Sequence, residues 1–219
     1  MKGLTRELMA LRVAGELTEG MYVNLGIGLP TMVSSYIPPD IEVMLQSQNG
    51  VLNYGAIVEE DQWDPDLINA GGQPTVLKPG ASFFDSATAF GMIRGCHIDV
   101  AVLGAYQVSE TGDIANWALD EKIITGVGGA MDICCGVNKV FVVMEHVTPD
   151  GQPRIKRKCS FPLTARGVVS TIFTNLAVID VVPGGLRLRE VAHGITAAEV
   201  QHHTEAKLIV PGSLKEMSL

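Results

Sequence analysis

Short apolar runs that close on glycine or asparagine restrict the fold of this chain more than any other feature. Met21 to Leu25 leads into Gly26-Ile27-Gly28-Leu29-Pro30, Ile41 to Leu45 into Gln46-Ser47-Gln48-Asn49-Gly50, and Ile98 to Leu103 into Gly104; Val140 to Met144 is a further run. Runs this short and this apolar are core strands. Helical patterns fall between and after them. Leu4, Leu8, Met9, Leu11, Val13 and Leu17 give helical spacing over 4 to 19, with Gly20 as the stop. Pro30 and Thr31 open a second helix to Tyr36, Asp85 or Ser82 caps a third that runs from Asp85 to Arg94, and a fourth covers 197 to 206. Strands alternating with helices predict an α/β fold, a largely parallel sheet with helices on both faces.

The last third is richer in strands: Val168 to Phe173, Leu176 to Val182, Leu186 to Val191 around Pro183-Gly184-Gly185, and 207 to 210. Residues 53 to 74 carry little regular pattern, with Glu59-Glu60-Asp61 expected as a solvated acidic patch and Val76-Leu77 as a short strand. Gly104 to Val108 continues or bends the preceding strand. There is no repeat and no linker, so a single domain over 1–219 is expected; 219 residues suffice for a good core.

Apolar residues make up 47% and charged ones 18%, which excludes a disordered or fibrous chain. The net charge of −8 argues against nucleic-acid binding, while a local site can still take an anion. The basic cluster Arg154-Ile155-Lys156-Arg157-Lys158 alternates around Ile155 and suits the solvent face of a strand; a nucleotide-phosphate contact is the minority reading. No apolar run reaches ten residues, so no membrane span is expected, and the first residues resemble neither a signal nor a transit peptide. A cytoplasmic location is expected. Cys96, Cys134, Cys135 and Cys159 form no Cys-x-x-Cys pair and are expected as reduced, mostly buried thiols. His97, His146, His193, His202 and His203 show no metal-ligand spacing, and the last two are expected on the surface.

Three loops could hold a ligand. Gly26-Ile27-Gly28 joins a strand to a helix, where backbone N–H groups converge on an anion; it lacks the full dinucleotide fingerprint and is not an NAD site. Asn49-Gly50 permits a sharp reversal, which puts Gln48 at the mouth of the sheet, where α/β proteins bind ligands. Gly126-Val127-Gly128-Gly129 allows a close approach of backbone to ligand. On local chemistry alone an ordinary turn is the better account of Asn49-Gly50 and at least as good a one for Gly26-Ile27-Gly28, and the glycines of 126 to 129 could equally let two backbones cross.

Taken together the motifs are specific. Asn24-Leu25-Gly26-Ile27-Gly28-Leu29-Pro30-Thr31, Gln46-Ser47-Gln48-Asn49-Gly50, Asn69-Ala70-Gly71-Gly72, Ile93-Arg94-Gly95 with His97, Leu103-Gly104-Ala105 with Gln107-Val108, Ala115-Asn116-Trp117, Gly128-Gly129-Ala130-Met131-Asp132, Met144-Glu145-His146 and Pro162-Leu163-Thr164 resemble, in the same order, segments of the β subunit of the family I CoA-transferases. The sequence resembles that family over roughly residues 5 to 210, most of all the bacterial acetate/acetoacetate and 3-oxoacid enzymes, with the 3-oxoadipate enzymes close. The resemblance implies a NagB/RpiA/CoA-transferase-like fold. It also implies an α-subunit partner in an α2β2 assembly, acyl-CoA and a short-chain carboxylate as substrates, and no permanently bound cofactor and no metal. Its catalytic residue is a glutamate in Ser-Glu-Asn-Gly, and that position is Gln48 here. Gly128 and Gly129 would stabilise the oxyanion, Gly129 foremost. Asn24, Gly26, Gly28, Asn49 and Gln107 would line the substrate and CoA site, although a plain loop hydrogen bond accounts equally well for Asn24 and Gln107.

An amide oxygen is a poor nucleophile, so the transferase reaction implied by the family should be nearly silent in this chain. Two accounts fit: a Glu→Gln replacement that holds a complex without turnover, or a divergent homologue that binds acyl-CoA or stabilises its partner. Glu59 and Glu60 as substitute nucleophiles are less natural than an acidic surface loop. A sugar-phosphate isomerase on a similar core would need acid/base and lysine residues in these loops, and Lys78 is the only lysine between Lys2 and Lys122.

Overall fold

The computed structural model describes residues 3–58, 63–119 and 126–219. In chain order the elements are α1 (Arg6–Ala14), β1 (Tyr22–Leu25), a 3₁₀ helix (Leu29–Ser35), β2 (Met44–Ser47), β3 (Val51–Ile57), β4 (Thr75–Phe83) and α2 (Ser86–Arg94). Then come β5 (Val100–Leu103), β6 (Gln107–Ser109), β7 (Ile114–Ala115), α3 (Ala130–Gly136), β8 (Lys139–Val143) and β9 (Ile155–Lys156). The chain closes with β10 (Val169–Phe173), β11 (Ala177–Val182), β12 (Gly185–Val191), α4 (Ala197–His202), β13 (Leu208–Ile209) and β14 (Lys215–Glu216).

The main sheet runs β13-β12-β11-β10-β8-β5-β1-β2-β3-β4, with β14 beside β12; β7-β6-β9 form a small second sheet. Its middle, β10-β8-β5-β1-β2, is wholly parallel. Antiparallel hairpins flank it on both sides, through β3 and β4 and through β11 and β12.

Alternation along the central strands explains the layers. Val100, Val102, Phe141 and Val143 point to the face covered by Met9, Ala10, Val13 and Ala14 of α1 and by Val33 of the 3₁₀ helix. Ala101, Leu103, Val140 and Val142 point the other way, to a core completed by Ile93 of α2, Ile133 and Cys134 of α3 and Val200 of α4. Both faces are covered, as a parallel sheet requires. Val108, Ile114 and Ile155 of the small sheet join this second core. Asp85 caps α2, its Oδ1 accepting from the Thr88 N–H at 2.7 Å, and Thr196 with Glu199 forms a capping box on α4.

Several boundaries differ from expectation. The first helix ends at Ala14, where Gly15 caps it, and Gly20 instead serves a turn at φ 79°. The Pro30 helix is a 3₁₀ helix: Thr31 Oγ1 donates to Gly28 O at 2.6 Å and Ser34 Oγ to Thr31 O at 2.8 Å, side-chain bonds that compete with the α-helical ladder. The strand expected over Ile41 to Leu45 begins only at Met44. The region expected to be irregular contains all of β3 but its first two residues, and Val76-Leu77 belongs to the nine-residue β4. Pro79 and Gly80 sit inside β4, which an edge strand tolerates. Gly104 ends β5, and Gln107-Val108 enters the small sheet. The expected acidic patch Glu59-Glu60-Asp61 lies outside the described residues.

All four cysteines are free, but only Cys134 is buried; Cys96 and Cys135 are exposed and Cys159 is half-buried. Burial, with Cys135 adjacent, pushes the Cys134 thiol up to about 12. Among the described residues no helix is long and apolar enough to cross a membrane, and no cluster of His, Cys, Asp or Glu could hold a metal.

Candidate active site

Four parallel strands end at one edge of the sheet, and the residues just beyond them wall a cavity of about 640 Å³. Gly26-Ile27-Gly28 follows β1, Gln48 follows β2, Gly104-Ala105-Tyr106 follows β5 and Met144-Glu145 follows β8; the loop from Gly126 to Ala130 and Ile133 of α3 complete one wall. Ligand sites belong at this carboxyl edge in α/β proteins.

Two of these glycines are closely packed, each against a different element. A Cβ on Gly26 would stand 3.1 Å from Leu103 Cδ2 and 3.2 Å from Val102 O, so the β1 exit hugs β5, fixed by a 2.8 Å bond from Gly26 N–H to Val102 O. Gly129 packs on α2, where a Cβ would come within 2.8 Å of the Phe90 ring. Gly28 and Gly128 adopt left-handed φ values of 90° and 54° with open space beside them.

Gln48 is half-buried, and its seat is made from buried amides. Asn24, 0% exposed, lies beside Gln46 in the β1–β2 register. Its Nδ2 donates to Gln46 Oε1 at 2.7 Å, to Gln46 O at 3.1 Å and to Gln48 Oε1 at 3.3 Å. Gln46 in turn donates from Nε2 to Ala89 O of α2 at 3.2 Å. The chain of amides ties Gln48 through β1 and β2 to α2. Asn24 Oδ1 is buried with no donor among the described residues. A donor aimed at the oxygen of residue 48 suits a carboxylate as well as an amide, and would favour its ionised form.

Gly26, Gly28, Gln48, Gly128 and Gly129 are therefore gathered around one cavity, with Asn24 directly behind Gln48. Asn49 and Gln107 are not among its lining residues. Asn49 donates to Ile68 O at 2.8 Å and faces a separate pocket of about 100 Å³ between β3 and β4. Gln107 is turned to the Ser160 loop: Oε1 accepts from the N–H groups of Ser160 at 2.8 Å and Phe161 at 3.3 Å, and Nε2 donates to Ser160 Oγ at 2.9 Å. Cavity residues that sequence reasoning did not assign are Arg6, Tyr106, Asn116, Glu145 and Arg154. Arg154 stood in the basic cluster, but its neighbours Lys156 and Arg157 pair with Glu205 whereas Arg154 turns to the cavity wall.

His146 is fully buried with both ring nitrogens on threonine hydroxyls, Nδ1 to Thr174 and Nε2 to Thr204, each at 2.9 Å. Burial, with His203 nearby, pushes its pKa down to about 4. It is a neutral core group that pins β8 to the chain after β10 and α4.

The chain is similar to known proteins over most of its length. The family model described as "Coenzyme A transferase" matches residues 6–202. The chain is 48% identical over 209 residues to the B subunit of a probable succinyl-CoA:3-ketoacid coenzyme A transferase of Bacillus subtilis (strain 168), covering 95% of this chain and 97% of that one. It is 47% identical over 209 residues to the beta subunit of the acetate CoA-transferase of Escherichia coli (strain K12), covering 95% of each. Among solved structures, an acyl-CoA transferase apoenzyme from Escherichia coli O157:H7 superposes with a TM-score of 0.77 at 18% identity, over 98% of this chain and 43% of that longer one.

Proposed function

The chain belongs to the coenzyme A transferase family, and on that premise we propose that it is the B subunit of an enzyme that works with an unlike α subunit of the same fold. The enzyme moves CoA between a short-chain or 3-oxoacyl-CoA and a carboxylic acid. CoA and its esters are substrates, with no permanently bound cofactor. We further propose a single-domain, cytoplasmic subunit in an α2β2 assembly.

The observation that carries the reading is the seat of residue 48 on the wall of the cavity, with its side-chain oxygen held by buried Asn24. With glutamate there, the carboxylate attacks the thioester carbonyl and expels CoA thiolate, leaving a mixed anhydride. The thiolate then attacks the glutamyl carbonyl, which releases the first acid and forms an enzyme–CoA thioester. The second acid takes CoA by the reverse steps. Each addition puts negative charge on a carbonyl oxygen, for which the backbone N–H of the Gly128-Gly129 loop is the donor, Gly129 for preference. Asn24 is a positioning residue: it orients the nucleophile and favours its charge. Asn49 and Gln107 shape the loops around the site.

With Gln48 as it stands, the first covalent step does not occur. Gln48 itself favours a second reading, in which the chain binds acyl-CoA or stabilises its partner without transferring CoA.

The test is a paired assay of this chain co-purified with its α partner, as it stands and as Gln48→Glu. With acetoacetyl-CoA and acetate, Gln48→Glu is expected to turn over about 10⁴-fold or more faster than the Gln48 form. If both forms are silent over a range of short acyl-CoAs yet bind them, the second reading replaces the first.

A further inference from the structure

The seat of residue 48 and the Gly129 loop come from distant parts of the chain, yet both rest on one turn of α2. Gln46, which shares the Asn24 amide with Gln48, donates from Nε2 to Ala89 O at 3.2 Å. The next residue, Phe90, makes the other contact. Its ring edge is turned to Gly129: a Cβ there would stand 2.8 Å from Phe90 Cζ and 3.0 Å from Cε1. Gly129 has φ −88° and ψ −1°, a conformation open to any residue, so its missing Cβ serves contact with the ring. Phe90 is not among the residues that line the cavity and reaches a ligand only through that loop.

The loop has little stiffness of its own. Gly126 and Gly128 take left-handed φ values of 104° and 54°, with open space where a Cβ would be. Its position comes from what it touches. Helix α2 is a firm base for it: Asp85 caps the helix, and α3 packs so close that a Cβ on Gly136 would overlap Ile93 O. Arg94 of α2 binds Asp132 Oδ1 of α3 from Nε at 2.9 Å and from Nη2 at 2.7 Å. That exposed pair adds little stability, but it restrains the start of α3 against the end of α2. The same guanidinium lies over the face of Phe90, 5.7 Å from the ring centroid. The ring therefore meets Gly129 at its edge and Arg94 on its face.

We propose that Phe90 is a positioning residue: it fixes the Gly129 amide in relation to residue 48, because the two lean on neighbouring residues of one helix. The assignment rests on the transferase reading, in which that amide meets the developing oxyanion. A donor of this kind is effective only when held within about 0.5 Å of its place. A slack loop loses stabilisation of the transition state without losing the bound ligand.

The experiment uses the complex with the α partner, carrying Gln48→Glu, with acetoacetyl-CoA and acetate. Phe90→Ala is expected to lower kcat about tenfold or more and to leave KM within about threefold. Phe90→Met, which reaches as far as the ring edge, recovers most of that loss. Should Phe90→Ala not assemble, Phe90→Leu, which stops short of Gly129, is read in its place. Val200→Ala, in the same apolar core but on α4, lowers Tm and leaves kcat within about twofold. A second arm needs no turnover. With [15N]glycine in the Gln48 form, Phe90→Ala is expected to drop the order parameters of the Gly128 and Gly129 amides from about 0.85 to below about 0.6. Gly26, bonded to Val102 O, stays ordered. An unchanged kcat overturns the proposal, and so does a Gly129 amide that remains rigid. So does a kcat that follows Tm alike in Phe90→Ala and Val200→Ala, since the ring is then packing alone. If Gln48→Glu with Phe90 intact is silent with every donor, it is the transferase reading that fails, and the relaxation arm alone decides whether Phe90 fixes the Gly129 amide.

Discussion

Asn24 and His146 are both polar side chains at 0% exposure, and they meet burial in different ways. Asn24 shares its Nδ2 among three oxygens and keeps Oδ1 unpaired, an arrangement sustained by the parallel pairing of β1 with β2. An unsatisfied buried carbonyl is costly, and such costs concentrate where a protein holds a reactive group in place. His146 has a threonine hydroxyl at each ring nitrogen, and burial with no anion beside it disfavours its charged form. Its folded pKa of about 4 lies below the ordinary 6.5. Between those values the unfolded chain binds a proton that the folded chain refuses. Its effect on stability is nil above 6.5 and grows as pH falls toward 4, at about 1.4 kcal/mol per pH unit. Urea denaturation of the chain and of His146→Gln, followed from about pH 7 to about pH 4, should show the variant losing less stability over that window. Parallel slopes for the two would remove His146 from the acid response.

At the scale of elements, α1 is fastened to the sheet by charge as well as by its apolar face. Arg12, 8% exposed, donates to both Glu190 oxygens of β12 at 2.8 and 2.7 Å and to Glu16 at 2.6 Å. Arg189 bridges from Glu16 to Asp180 of β11, and both guanidinium groups stand 5.9 Å from the Phe173 ring centroid. Removing one member strands the others in a poorly solvated place. Arg12→Met is expected to cost about 3 kcal/mol in chemical denaturation, and adding Glu190→Gln should recover part of it. The parallel strands were legible as short apolar runs, and helices α1, α2 and α4 from their spacing and caps. Strand β3 and all of β4 but Val76-Leu77 were not, because Asn53, Gly55, Pro79 and Gly80 are breakers tolerated only at the sheet margin. Helix α3 was hidden by the glycines before it and by Ile133-Cys134-Cys135, which favour no helix by themselves. In the site, turn chemistry marked the glycine loops and Gln48 only as turns, and it was the ordered set of family-like motifs that gave them a place around a ligand. Arg154 could not be placed, since its meeting with Ala105 depends on pairing between segments almost fifty residues apart.

At the scale of the whole molecule, the cavity exists only when the sheet does. Its walls come from residues 6 to 154, collected by four parallel strands whose contacts are all distant in sequence. A ligand bound there stabilises the folded state alone. In complex with the α partner, acetoacetyl-CoA at about 100 times its dissociation constant should add about 2.7 kcal/mol to the Gln48 form, read as a raised Tm with the ligand recovered intact. No rise in Tm would mean that the cavity does not hold acyl-CoA. The seat of residue 48 has a further, genetic consequence. Asn24 grips a side-chain oxygen and is indifferent to whether its neighbour on the same carbon is nitrogen or oxygen. Glutamine and glutamate codons differ in their first base only. A cell that depended on this reaction and carried only this copy would be one base substitution from a working enzyme. Selection for growth on the acid should recover that single change repeatedly, with no compensating mutation elsewhere in the gene.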